Sequence, residues 1–361
     1  MRIYVWLVSI TNIRHHSILS KVNIKKILKE WMLPIAMLTG ASIYLIYHFL
    51  PERVHHAGPF LSELLGMVQP LLIFSMLFLT FCTIEPKDLK LHRWHWWLLL
   101  VQGGIFVALG LIAILLLKAF PDRSDSMVVL IESAMLCFIC PTATAAAVVT
   151  RKLGGDVPGI TTYVVLINIL TALLVPIVIP LIQPENTLGF WMSFRMIVAK
   201  VFPLLITPCL CAWLVRYCVP KLHKRLLSYP DLPFYLWSVA LTLAIAITTK
   251  SLMHSTMSLW LLVAMSFVSL VSCAFQFAVG RRIGNNYKPR HRFTSVQDEQ
   301  KGREVRKITS GQSLGQKNTV FAIWLGYTFM TPETAIVGGL YSIWHNIYNS
   351  WQLRAASKKQ S

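Results

Sequence analysis

Lys317 carries an ammonium group into the middle of an apolar run, within the segment GQSLGQKN (Gly311–Asn318). An ammonium at the centre of a bilayer costs about 2.5–3.5 kcal/mol on insertion scales, so it needs a partner or a purpose. Its neighbours Gln312, Ser313, Gln316 and Asn318 are also polar, and Gly311 and Gly315 weaken the helix around them. Pro141, 175 residues before Gln316, marks a second interruption, in CPTATAAA (Cys140–Ala147). Proline removes a backbone donor and crowds the preceding turn. The helix is therefore expected to break there and restart at about Thr142, with Ala143 and Thr144 behind it. An interrupted helix exposes carbonyls at the end of its first half and amide donors at the start of its second. Carbonyls take cations and amides take anions. A lysine at such a place offsets the carbonyls, replaces a cation, attracts an anion and offers a group that exchanges a proton. The architectural alternative is that Lys317 pairs with Glu132 or with backbone carbonyls and only holds the chain together.

Composition dictates the elements that hold these residues. Of 361 residues, 55% are hydrophobic and 14% charged, against about a quarter charged in soluble domains. This excludes a disordered, collagen-like or disulfide-stapled chain and argues against two soluble domains. It indicates a polytopic membrane protein in a lipid bilayer. Ten apolar stretches have spanning length, at roughly 31–50, 64–83, 95–118, 127–150, 157–182, 190–216, 233–250, 257–280, 308–329 and 332–351. Each is expected to be helical, because lipid cannot satisfy unpaired backbone groups. The net charge of +19 does not signal nucleic acid, because Lys and Arg gather in alternate connecting segments, 27 on one side of the spans and 5 on the other. By the positive-inside bias both termini are expected in the cytoplasm, in a plasma or inner membrane. The seven cysteines fall in or beside apolar stretches and read as packing residues.

Five spans and five make two halves, and because five is odd the second half is inverted. Interrupted helices at matching places in inverted repeats are the pattern of secondary transporters. The expected divisions are a cytoplasmic segment 1–30 with an amphipathic surface helix over 17–30, a first repeat 31–183, a second repeat 190–351 with a basic cytoplasmic loop at 281–307, and a tail 352–361. Further candidates for the site are Glu132 and Cys140 in the fourth span, Asn168 in the fifth, and His345 and Asn346 in the tenth. No paired carboxylates, H-E-x-x-H, G-x-S-x-G or nucleotide loop stands in a context that suits an enzyme.

The run CPTATAAAVVTRKLGGDVPGITTYVVLINILTALLVPIVIPLI (Cys140–Ile182), GQSLGQKN and SIWHN (Ser342–Asn346) resemble the bile acid:sodium symporter family, with the likeness extending over essentially all ten spans. The resemblance implies an all-α membrane fold of ten helices in two inverted five-helix repeats, the fourth and ninth broken and crossing. It also implies a panel-like domain that rocks against a core, and organic anions usually driven by two sodium ions. The chain departs from the family pattern where one sodium ion would bind. Ala146, Ala147, Ile160 and Val164 replace oxygen-bearing residues, and Gln312 replaces an acid. A hard cation needs several oxygen ligands, so that site is expected to be absent. At the second sodium site Gln316 and Gln102 match family glutamines, and the shared acid is again Gln312.

The expected function is secondary active transport of a small organic anion by alternating access. The expected binding residues are Gln102, Pro141, Thr142, Thr144, Gln312, Ser313, Gln316, Lys317 and Asn318. No cofactor or resident metal is expected. The coupling ion is a proton or sodium, with sodium coupling lost or altered and Lys317 standing in for the cation. The chain is expected to act as a monomer or homodimer without nucleic acid. Two alternatives remain: sodium symport through a remnant site at Gln102 and Gln316, and a sensor or scaffold that moves nothing. Sodium/proton antiport needs intramembrane aspartates that no span contains, and arsenite export would rest on the Cys140 thiolate.

Overall fold

The structure, a computed structural model, describes residues 24–51, 58–120, 125–182, 189–229, 231–254, 257–287 and 295–360. The first ten residues and the part of the expected surface helix before Ile24 lie outside the described residues. Long apolar runs close their own backbone hydrogen bonds as helices. The order is α1 (Ile24–Phe49), α2 (Gly58–Cys82), α3 (Arg93–Ala119), α4 (Asp125–Ile139), α5 (Ala146–Lys152) and α6 (Val157–Ile182). Then follow α7 (Gly189–Leu205), α8 (Thr207–Cys218), α9 (Pro220–Leu227), α10 (Leu232–His254), α11 (Leu259–Asn286), α12 (Val296–Gly315), α13 (Thr319–Phe329) and α14 (Ala335–Gln360). Short 3-10 turns lie at Pro86–Asp88 and Pro332–Thr334.

Six helical stretches are long and apolar enough to cross a membrane, namely Glu63–Cys82, Arg93–Ala119, Val157–Ile182, Gly189–Cys218, Leu232–His254 and Leu259–Asn286. The chain is a multi-pass membrane protein. Of the remaining apolar stretches, α4 and α13 are short because each is half of an interrupted run. The first half of α12 is charged, and α14 mixes Ser, His, Asn and Gln into its apolar residues.

Several boundaries differ from the sequence expectation, among them that of the tail expected at 352–361, through which α14 continues to Gln360. Residues 24–30 are the first turns of α1 rather than part of a separate surface helix, since nothing between Lys29 and Trp31 stops a helix. The loop expected at 281–307 is helical at both ends, because α11 runs to Asn286 and α12 starts at Val296. The Ser295 hydroxyl caps α12 by accepting from Asp298 N (3.1 Å), and Asp298 and Glu299 suit the positive end of its dipole. The run at 190–216 bends at Ile206, between Pro203 and Pro208.

Helices α11 and α12 pack with their backbones close. A side chain at Gly284 would collide with the Ser310 hydroxyl and the Arg306 carbonyl. Ser310 Oγ donates to Gly280 O (2.7 Å) across the same seam. Outside the spans, Glu85 contacts Lys87 (2.5 Å) and Arg216 (3.3 Å). The Lys87 ammonium holds the Glu85 carboxyl below the usual carboxylate range. Arg216 also donates to Cys82 O (2.9 Å), so the end of α2 is tied to α8.

Candidate functional site at the meeting of two broken helices

Helix α4 ends because Pro141 has no N–H, and because a residue before proline is pushed out of the helical region. Its last helical bond is Cys140 N to Leu136 O (3.2 Å). The chain does not restart at Thr142 as expected; it stays non-helical to Ala145, and α5 begins at Ala146. The added length is used. Thr142 pairs with Lys317 in an antiparallel bridge, the one element of β-structure among the described residues. Ala143 N donates to Gln316 O (3.0 Å) and Asn318 N to Pro141 O (2.8 Å). The two interruptions therefore meet and satisfy part of each other's backbone.

The remaining freed carbonyls at the end of α4 are met by four elements. Cys137 O accepts Gln276 Nε2 from α11 (3.2 Å), and Ile139 O accepts Thr171 Oγ1 from α6 (3.0 Å). Cys140 O accepts Gln102 Nε2 from α3 (2.9 Å). Phe138 O faces the Lys317 ammonium, a long contact of 3.5 Å. At the end of α12, Ser313 O accepts Thr142 Oγ1 (2.6 Å) and Gly315 O accepts Tyr341 OH from α14 (2.8 Å). Cys140 Sγ donates to Asn318 O (2.9 Å), and the Asn318 side chain caps α13 by accepting from Phe321 N (3.2 Å). A carbonyl that already accepts from a protein donor is a poorer ligand for a cation.

Lys317 is 2% exposed. Its ammonium donates only a long hydrogen bond, to Phe138 O. A void beside it is walled by Leu136, Cys137, Cys140, Thr319, Ala322, Val337, Gly338 and Tyr341, with room for about one water molecule. The first turn of α13, whose dipole end is positive, opens on this void at Thr319. An ammonium and a helix N-terminus on one small cavity favour an anion.

The structure brings Gln102, Cys140, Pro141, Thr142, Gln312, Ser313, Gln316, Lys317 and Asn318 to the region of the meeting breaks, all of them buried. Thr144 lies half-buried on the turn into α5. Glu132 does not pair with Lys317. Its Oε2 accepts from Thr331 N and Thr334 Oγ1 (2.9 Å each), at the turn that opens α14. Asn168 donates within its own helix, to Val164 O (2.7 Å), and the bond from α6 to the break comes from Thr171 instead. His345 is buried edge-on to Tyr341, and Asn346 bonds Ser342 O (2.7 Å) one turn back. The residues that sequence reasoning missed are Thr171, Gln276, Tyr341, Tyr163 (which donates to Gln102 Oε1, 2.9 Å), Asn349 and Gln352. All but Gln352, which lies just past the tenth apolar stretch, are polar residues inside an apolar run, a signal weaker than a proline or a lysine. The reading of the cysteines as packing residues also passes over the C-x-x-C spacing of Cys137 and Cys140; both are free thiols on the void beside Lys317.

The residues at the expected sodium positions do not fit the ion. Ala146, Ile160 and Val164 are buried hydrocarbon, and Ala147 is half-buried. Gln312 directs its amide at Asn349 Oδ1 (3.0 Å) and Gln352 Oε1 (2.7 Å). Both ends of Gln102 are engaged, by Cys140 O and by Tyr163. Oxygens without a protein partner remain at Gln312 Oε1, Ser313 Oγ and Gln316 Oε1.

A family model described as "Sodium Bile acid symporter family" matches residues 70–274, more than half of the chain. The matched region includes the first break and stops before the second. No curated protein sequence matches the chain.

Proposed function

The chain belongs to the sodium bile acid symporter family, and from that premise we propose that it is a secondary transporter of a small organic anion that does not need sodium. In this reading the helical stretches form ten spans in two inverted five-helix repeats with both termini cytoplasmic. The broken pairs α4/α5 and α12/α13 are the corresponding interrupted helices of the two halves. Substrate binds beside Lys317 and is exposed to each side of a plasma or inner membrane in turn. The observation that carries this reading is the placement of the Lys317 ammonium. It lies buried where the two breaks meet, against a void and at the positive end of α13. In this reading the site widens beyond the water-sized void as the transporter moves, and the admitted anion exchanges its hydration for the Lys317 ammonium and the positive end of α13.

The positive end of the site is then part of the protein. The family's usual cation would neutralise carbonyls at the breaks, and here Gln102, Thr171, Gln276, Tyr341 and Lys317 meet those carbonyls instead. The free oxygen of Gln316 supports a second reading, sodium symport through a remnant site. The engagement of both ends of Gln102 weighs against it.

Purified protein in proteoliposomes, offered labelled cholate, benzoate and succinate, is expected to show saturable uptake of at least one probe. Absence of flux for all of them under every ion gradient, together with binding of a probe by thermal shift, would replace transport by the sensor reading.

A further inference from the structure

The geometry points to Glu132 as the site that binds the coupling proton, an inference that rests on the transport reading above. Among the described residues Glu132 is the one acidic side chain that is buried. A carboxylate is retained in such a place only if its charge is met or its proton is used. Lys317 does not meet it, since that amine turns to Phe138 O. Glu132 instead accepts from the backbone of Thr331 and the hydroxyl of Thr334, so it holds the turn at the head of α14. Its other surroundings are a groove of the membrane half in which α4 begins, lined by Ala113, Leu116 and Leu117 of α3, Met127, Val128 and Ile131 of α4, and Ile182 of α6. The groove is apolar but for the carboxyl. Among the described residues Glu333, on the same turn, is the other charged group that bears on it; α3 and α6 contribute only the apolar residues above, and α11, α13 and α14, which also pack on α4, place no charged group against it.

The carboxyl borders this groove and is linked to the crossover by two routes. Along α4, Glu132 and Phe138 are six residues apart, about 9 Å at helical rise. Leu136 and Cys140, one and two turns beyond Glu132 on the same face, wall the Lys317 void. Through the turn it holds, Glu132 governs the start of α14, which brings Tyr341 to Gly315 O at the second break. The step is a simple protonation in which one proton from solvent adds to the carboxylate and no other bond is made. A neutral carboxyl is a weaker acceptor than a carboxylate. Protonation therefore loosens the Thr331 and Thr334 bonds and frees the head of α14 to move with the substrate-loaded site.

The test uses the full chain in proteoliposomes with the membrane potential clamped at zero, and the best-transported probe among cholate, benzoate and succinate. With one-proton coupling, each unit of inward pH gradient supports about tenfold accumulation. Glu132→Gln keeps an acceptor for Thr331 and Thr334 but cannot titrate. It is expected to lose that accumulation while still exchanging labelled for unlabelled probe in counterflow. Should Glu132→Gln be silent in both assays, Glu132→Asp decides, since recovery of gradient-driven accumulation supports the inference and failure to recover overturns it. Full gradient-driven accumulation by Glu132→Gln, or a wild type that carries the probe but ignores the pH gradient, also overturns it. A wild type that carries no probe at all defeats the transport reading itself, so the two failures are distinguishable.

Discussion

Lys317→Met is expected to lower probe uptake, as kcat/KM, by about 10–100-fold, because a charge-assisted hydrogen bond to a buried anion is worth about 1.5–3 kcal/mol. The same substitution should leave the melting temperature in detergent unchanged or raised. Burial of the ammonium costs about 2.5–3.5 kcal/mol, and the methionine avoids that cost at similar length. Against this stands the loss of a donor at Phe138 O, about 1–3 kcal/mol for an unsatisfied buried acceptor, and less here because the native contact is a long one. The pairing of lost uptake with retained stability separates a binding role from an architectural one. A lysine that only tied the two breaks together would lose stability and uptake in parallel.

Gln102→Leu has the opposite signature. Gln102 joins two groups, donating to Cys140 O and accepting from Tyr163 OH, and it is itself fully buried. A leucine orphans both, each at about 1–3 kcal/mol. The melting temperature should fall by several degrees, and uptake should fall with it, because Cys140 O is one of the carbonyls whose capping holds the first break. Interhelical hydrogen bonds in membranes average nearer 0.6 kcal/mol, where the freed groups find new partners. The larger effect is expected here because the pair lies fully buried beside a cluster of apolar side chains, Leu98, Leu99 and Ile167 among them. An unchanged melting temperature would show that Cys140 O and Tyr163 OH find other partners.

The interruptions were legible because their causes are local. Pro141 removes a backbone donor in a run of small and polar residues, Thr-Ala-Thr and alanines, whereas Pro34, Pro70, Pro176 and Pro180 lie inside continuous helices, and a Gly-Gln-x-x-Gly-Gln-Lys-Asn run cannot be the inside of a lipid-facing rod. The helix register was equally legible where apolar runs are long, as in α3, α6 and α11. The capping of the break was not legible. Thr171 rather than Asn168 reaches Ile139 O, and Tyr341 rather than His345 reaches Gly315 O. In both cases the choice between neighbouring polar residues on one helix depends on rotation about the helix axis. Glu132 and Lys317 were paired as one possibility because both are charged and buried, but the turn before α14 offers the carboxylate two donors at closer range. The start of α12 differs from the sequence expectation for another reason. Hydropathy places it near 308, whereas Ser295, Asp298 and Glu299 form a capped N-terminus that apolarity does not register.

These findings share one physical idea, that protein donors now meet the carbonyls a coupling cation would otherwise meet, with Lys317 supplying the positive charge. Initial uptake of the best-transported probe in proteoliposomes, measured in sodium and again in choline medium free of sodium, tests it most directly. The account predicts rates that agree within about twofold, since no sodium ion needs to be bound before the anion. A rate that vanishes without sodium and saturates as sodium is restored would contradict it.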